Sequence, residues 1–220
     1  MPKKYSREEI ITKVQDSLKN PATLYNCGFV NYTGSVSGVY YSEIIAEEIL
    51  KNLNHLEQIE PKTRQSSYKI ESHRKLAKDS RPENSNQDEK WLAKSMYGKS
   101  YTGIGKIIDF QVPLKDIKDD KLGEIDLLAH NKDTNEVYIL ELKKPQSPET
   151  LLRCILEVYT YSKIVDQNRL LKDFNLEGNN IRKAVVIFED SQANRDYKSE
   201  HHPLVRGLAQ KLDVGVLVFS

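Results

Sequence analysis

Val137-Tyr138-Ile139-Leu140-Glu141-Leu142-Lys143 decides how this chain is read. Its β-branched and aliphatic residues make a buried strand, and Glu141 and Lys143 place two opposite charges inside it. Upstream, Gly123-Glu124-Ile125-Asp126-Leu127-Leu128-Ala129 reads as a second strand with an acid of its own, and Asn131 to Glu136 form the turn between them. An ionised group in low dielectric costs several kcal/mol unless it is paired or bound to a metal. Two adjacent apolar strands that both accept this cost point to chemistry there.

Working outward, Asp88 to Tyr97 reads as a helix, and Gly105 to Leu114 as the strand before the acid-bearing pair. Ser147-Pro148-Glu149 reads as a helix start, with a cap, a proline at the first helical position and an acid in the first turn. That helix is expected to run to about Phe174. Ala184 to Phe188 reads as a buried strand, Pro203 to Leu212 as a helix and Val214 to Phe219 as a last strand. The order α-β-β-β-α-β-α-β makes an α/β fold with a mixed sheet flanked by helices. Before it, Ser6-Arg7-Glu8-Glu9 is a capping box opening a helix that stops near Asn20-Pro21. Residues 22–41 read as loop or short hairpin, and Ser42 caps a second helix with Ile45, Ile49, Leu53 and Leu56 on one face. The chain divides into an N-terminal helical extension with a basic linker (1–86) and a main domain (87–220).

The 220 residues suffice for one sizeable core. Hydrophobic residues make up 38% and charged ones 30%, and no apolar run approaches the roughly 20 residues that span a bilayer. A secretory leader is not expected from Met1-Pro2-Lys3-Lys4, Cys27 and Cys154 form no framework, and a cytoplasmic location is the default. The net charge of +1 means that nucleic-acid binding has to come from local patches. One such patch is the stretch with Lys62, Arg64, Lys69, Arg74, Lys75, Lys78 and Arg81, a solvated loop or a phosphate-contacting arm. His201-His202 lacks a third ligand at zinc spacing.

Alternation puts Ile139, Glu141 and Lys143 on one strand face, and an antiparallel neighbour brings Asp126 to the same cleft. Converging carboxylates make a hard-oxygen site suited to Mg2+ or Mn2+. Lys143 stands beside it to hold a water or stabilise charge on a phosphate, and burial can shift a lysine toward neutrality. The plainer reading is a buried ion-pair network.

Gly123-Glu124-Ile125-Asp126, fourteen intervening residues and Glu141-Leu142-Lys143 together resemble the motif of the PD-(D/E)XK nuclease superfamily. The chain holds six (Asp/Glu)-x-Lys triplets, and only the one at Glu141 lies in an apolar strand preceded by another acid-bearing strand. The resemblance covers about residues 87–190 and implies a restriction-endonuclease-like αβββαβ core. It implies a divalent-metal-dependent nuclease, an endonuclease acting on DNA, with Asp126, Glu141 and the Leu142 carbonyl as metal ligands and Lys143 as the catalytic lysine. It implies a further acid on the preceding helix, where Glu89 fits best and Asp88 is adjacent. A Gln-x-x-x-Tyr pattern of the family stands here as Glu157 and Tyr161, candidate substrate contacts with Lys75 and Lys78; a surface acid and a packed tyrosine are the alternative. Ile125 replaces the family's proline. Such enzymes often pair to cut both strands, so a homodimer is a candidate assembly, through sheet edges at the strands ending in Phe188 and Phe219. The rival function is a non-catalytic nucleic-acid-binding or assembly module on the same fold.

Overall fold

A computed structural model describes residues 5–73, 87–114, 116 and 123–220. In chain order its regular elements are α1 (Arg7–Ser17), β1 (Ser35–Val36), β2 (Val39–Tyr40), α2 (Tyr41–Lys51), α3 (Leu53–Glu57), α4 (Asp88–Met96), β3 (Ser100–Tyr101), β4 (Gly105–Pro113), β5 (Glu124–Asn131) and β6 (Glu136–Leu142). There follow α5 (Leu151–Ile164), α6 (Gln167–Asp173), β7 (Asn180–Phe188), α7 (Gln192–Lys198), α8 (Pro203–Lys211) and β8 (Val214–Phe219).

Strands β3 to β8 lie side by side in sequence order as one six-stranded sheet. The pairs from β3 to β6 are antiparallel, while β6–β7 and β7–β8 are parallel. The short turn after Asn131 sets the antiparallel pair, and the crossover through α5 and α6 sets the parallel one, so the expected mixed α/β sheet is present. Tyr101 and Phe219, on opposite edge strands, bring their rings within 5.2 Å, which shows how far the sheet curls.

Alternation sorts the sheet's apolar residues onto two faces. Leu128, Val137, Ile139, Val185 and Ile187 join the cluster that includes Leu152 and Ile155 of α5. Leu127, Ala129, Leu140, Leu142, Ala184 and Val186 join a second cluster with Ala93 and Met96 of α4. The N-terminal helices belong to the first cluster, through Ile10, Val14, Ile45 and Ile49. The expected division at residue 86 falls beside residues 74–86, which lie outside the described residues, as do Lys75 and Lys78.

The capping box is formed: Ser6 Oγ accepts from the Glu9 N–H at 3.1 Å and Glu9 Oε2 from the Ser6 N–H at 2.7 Å. Three expected boundaries differ. Ser42 lies inside α2 rather than capping it, because the β1–β2 hairpin delivers the chain at Tyr40 and the Tyr41 N–H donates to the Gly34 carbonyl. Ser147-Pro148-Glu149 precedes α5, whose cap is Thr150. The Thr150 N–H donates to Asn31 Oδ1 at 2.7 Å, its hydroxyl to the Val30 carbonyl at 3.0 Å, and the Leu151 N–H to Asp196 Oδ2 at 3.0 Å. The helix expected to reach Phe174 breaks at Val165 and restarts at a new cap, Asp166, whose N–H donates to Tyr68 Oη at 3.1 Å. In each case tertiary hydrogen bonds override the local signal. Of the two expected edges, the strand ending in Phe188 is interior, flanked by β6 and β8, and only β8 is an edge.

Candidate active site

The site is built where β5 starts and β6 ends. Leu127 pairs with Leu140 across these strands, and continuing that register by one pair sets Asp126 opposite Glu141. Directly opposed residues share a sheet face. Lys143 lies just past β6, and its N–H still donates to the Val186 carbonyl at 2.9 Å, so the strand's alternation carries it to the side of Glu141. Its Nζ sits 2.6 Å from Glu141 Oε1. Asp126 Oδ2 accepts the Leu142 N–H at 2.9 Å and Oδ1 the Gln111 side-chain amide at 3.0 Å.

Helix α5 closes the other wall. Glu149 just before it, then Arg153, Glu157 and Tyr161, recur every four residues and so share one face. Lys143 Nζ lies 3.1 Å from Glu149 Oε2 and 3.4 Å from Glu157 Oε2. Arg153 Nε stands 3.2 Å from Glu149 Oε2. The Tyr161 hydroxyl donates to Glu157 Oε1 at 3.0 Å and meets the Tyr25 hydroxyl at 3.4 Å. From α4, Glu89 Oε1 accepts the Lys144 N–H at 3.2 Å, while Asp88 pairs with the Lys144 ammonium.

Glu89, Asp126, Glu141, Lys143, Glu157 and Tyr161 thus line one cleft of about 300 Å³, with Gln111, Glu149 and Arg153. Glu157 is 8% exposed and bonded to Lys143, so the reading of it as a surface acid is corrected. Leu142 meets Asp126 through its N–H. The acids of α2 are engaged elsewhere: Glu43 accepts the Leu204 and Val205 N–H groups at the start of α8, Glu47 pairs with Arg7 and Lys51, and Glu48 accepts from Gln15 and Asn52.

The electrostatics follow from burial. Loss of water pushes the Asp126 carboxyl up to about 6, with Lys143 and the Leu142 N–H pulling the other way. Glu141 is raised well above the ordinary carboxyl range by burial and then by the charges of Asp126 and Glu157. Burial works against the Lys143 ammonium too, but Glu141 and Glu157 outweigh it and hold its pKa above the ordinary lysine value. Burial can carry a lysine toward neutrality, but Glu141 two residues before it and Glu157 on the facing helix keep this one charged. Burial also raises Cys154 and Tyr161.

Among the described lining residues, six carboxyl groups (Glu89, Glu124, Asp126, Glu141, Glu149, Glu157) face three basic ones (Lys90, Lys143, Arg153). Such an oxygen-rich, negatively biased pocket suits a hard cation. Among the described residues, no three His, Cys, Asp or Glu side chains stand close enough together to enclose one. Glu149 and Arg153 escaped the sequence reading, although their spacing with Glu157 and Tyr161 was the available signal. Gln111 carried no such signal. No helix among the described residues is long and apolar enough to cross a membrane. Comparison with protein-family models, curated proteins and solved structures finds no match to this chain.

Proposed function

We propose that this cleft is the active centre of a divalent-metal-dependent nuclease that hydrolyses DNA phosphodiester bonds, on a restriction-endonuclease-like core of the PD-(D/E)XK kind. The observation that carries the reading is the meeting of Asp126 and Glu141 on opposed strands beside Lys143, in a pocket with more acids than bases. The sequence of α4, three antiparallel strands, α5 and a parallel strand supports the same reading. The donor set fits Mg2+ or Mn2+, because its charged groups are hard carboxylate oxygens. Asp126 and Glu141 would hold the ion with the Leu142 carbonyl, and Glu89 would support its water shell. A bound divalent ion supplies charge that polarises the phosphate and acidifies a coordinated water.

The chain's own residues do the rest. Lys143, kept as an ammonium, donates to a non-bridging phosphate oxygen and neutralises charge that builds up as water attacks phosphorus. Glu157 and Glu149 hold that ammonium from the helix side, and Tyr161 fixes Glu157. The two Asp126 hydrogen bonds hold its carboxylate in one orientation.

A second reading is a non-catalytic nucleic-acid-binding or assembly module. It is favoured by the close match of Lys143 to Glu141, Glu149 and Glu157, an ion-pair network that needs no metal. A cleavage survey separates the two. Duplex, single-stranded and branched DNA and RNA are incubated with the wild type and with Lys143→Ala, in Mg2+ and in Mn2+. The nuclease reading expects metal-dependent cleavage of DNA that falls at least about a hundredfold in a folded Lys143→Ala. Equal cleavage by both proteins, or none by either, rejects it.

A further inference from the structure

Gln111 takes a backbone φ of 48°, in the left-handed region that L side chains rarely adopt, although it lies inside β4. The flanking residues pair normally with β5, Phe110 with Leu127 and Val112 with Ile125. Gln111 therefore stands opposite Asp126, and Asp126 opposite Glu141, so the three form a row across β4, β5 and β6. Only the pairs on either side of Gln111 and Asp126 belong to the ladder; these two residues meet instead through the Gln111 side-chain amide, which donates to Asp126 Oδ1 at 3.0 Å. The other oxygen is taken by the Leu142 N–H. One donor from each neighbouring strand thus clamps the carboxylate.

The twist carries Val112 into the first core cluster while Phe110 stays in the second, but that redirection asks for no glutamine side chain. A glycine would adopt the same φ without strain, and an ordinary extended residue would complete the ladder. Strain of this sort persists where the surroundings over-determine it, and it concentrates at functional centres. We infer that Gln111 is a positioning residue: its twisted backbone aims the side-chain amide at Asp126 and fixes that carboxylate toward Glu141. The inference rests on the nuclease reading for its purpose, although the clamp itself is testable without any cleavage.

The amide donor holds one carboxylate oxygen in place, so its loss frees the Asp126 side chain to turn away from Glu141. The test compares the wild type with Gln111→Gly and Gln111→Leu by three readouts: melting temperature, Mn2+ affinity by calorimetry, and cleavage kinetics in Mg2+. The glycine variant suits the backbone, which keeps the test valid if the leucine variant folds poorly. In it Mn2+ affinity falls about tenfold, as on loss of a group that orients a ligating carboxylate. Its kcat falls about tenfold or more while KM stays within about twofold, as expected when a group misaligns the reacting centre rather than substrate binding. A folded Gln111→Gly with wild-type Mn2+ affinity and wild-type kcat overturns the inference. Weakened Mn2+ binding in the variant of a protein whose wild type binds the ion but cleaves nothing upholds the clamp and rejects the nuclease reading.

Discussion

Lys143 Nζ lies 2.6 Å from Glu141 Oε1, with both side chains almost excluded from water. The two are each other's nearest opposite charge, and neither is easily removed alone. Lys143→Met leaves Glu141, Glu149 and Glu157 facing one another without their shared cation. We expect that variant to lose about 3–5 kcal/mol of stability. Adding Glu141→Gln is expected to restore a large part of it, with a coupling of about 1–3 kcal/mol between the sites. Urea unfolding of the two single variants and the double variant measures this.

Asp126 links stability to pH. Its folded carboxyl is pushed up to about 6, above the unfolded value near 4. The folded state therefore binds this proton more tightly, so the contribution of Asp126 to stability is fully present below pH 4 and is lost as pH rises through 6. A shift of about two units corresponds to roughly 3 kcal/mol. Glu141, also raised, adds in the same direction. Asp126→Asn is expected to flatten this slope, which stability measurements between about pH 4 and 7 would show. A stability slope that is the same in the wild type and in Asp126→Asn contradicts the assignment.

Gly123 gives Tyr161 its place. A Cβ built at residue 123 would meet the Tyr161 hydroxyl at 2.0 Å. Gly123→Ala is therefore expected to push Tyr161 off Glu157 and to cost about 1–3 kcal/mol. The milder Tyr161→Phe removes the hydroxyl bonds to Glu157 and Tyr25 and is expected to cost about 1 kcal/mol or somewhat more. Thermal unfolding that ranks the two variants in the reverse order argues against this packing.

Glu43 serves as a control acid. Its two oxygens accept the Leu204 and Val205 N–H groups, away from the cleft. Glu43→Ala is expected to lose about 1 kcal/mol as a helix cap while leaving divalent-ion binding unchanged. Calorimetry together with thermal melting checks both halves.

The strands of the site were legible because a carboxylate in a β-branched apolar run is costly wherever the chain folds. The register that opposes Asp126 and Glu141 followed from the short Asn131 to Glu136 turn. The start of α5 was not legible, because Ser147-Pro148 carries a local helix signal that Asn31 and Asp196, far away in sequence, override. The partners of Lys143 were only half legible: Glu141 stands two residues away along the chain, but Glu149 and Glu157 come from across the cleft. Gln111 stayed hidden because no residue type in Phe110-Gln111-Val112 marks a left-handed backbone.

Titration of Mn2+ into the wild type and into Asp126→Asn and Glu141→Gln, followed by calorimetry at neutral pH, reads the metal centre itself. A metal centre at this cleft predicts binding by the wild type and a loss of about tenfold or more in affinity in each variant, with the fold retained. A wild type that takes up no ion, or variants that bind as well as it does, would contradict a metal centre at Asp126 and Glu141.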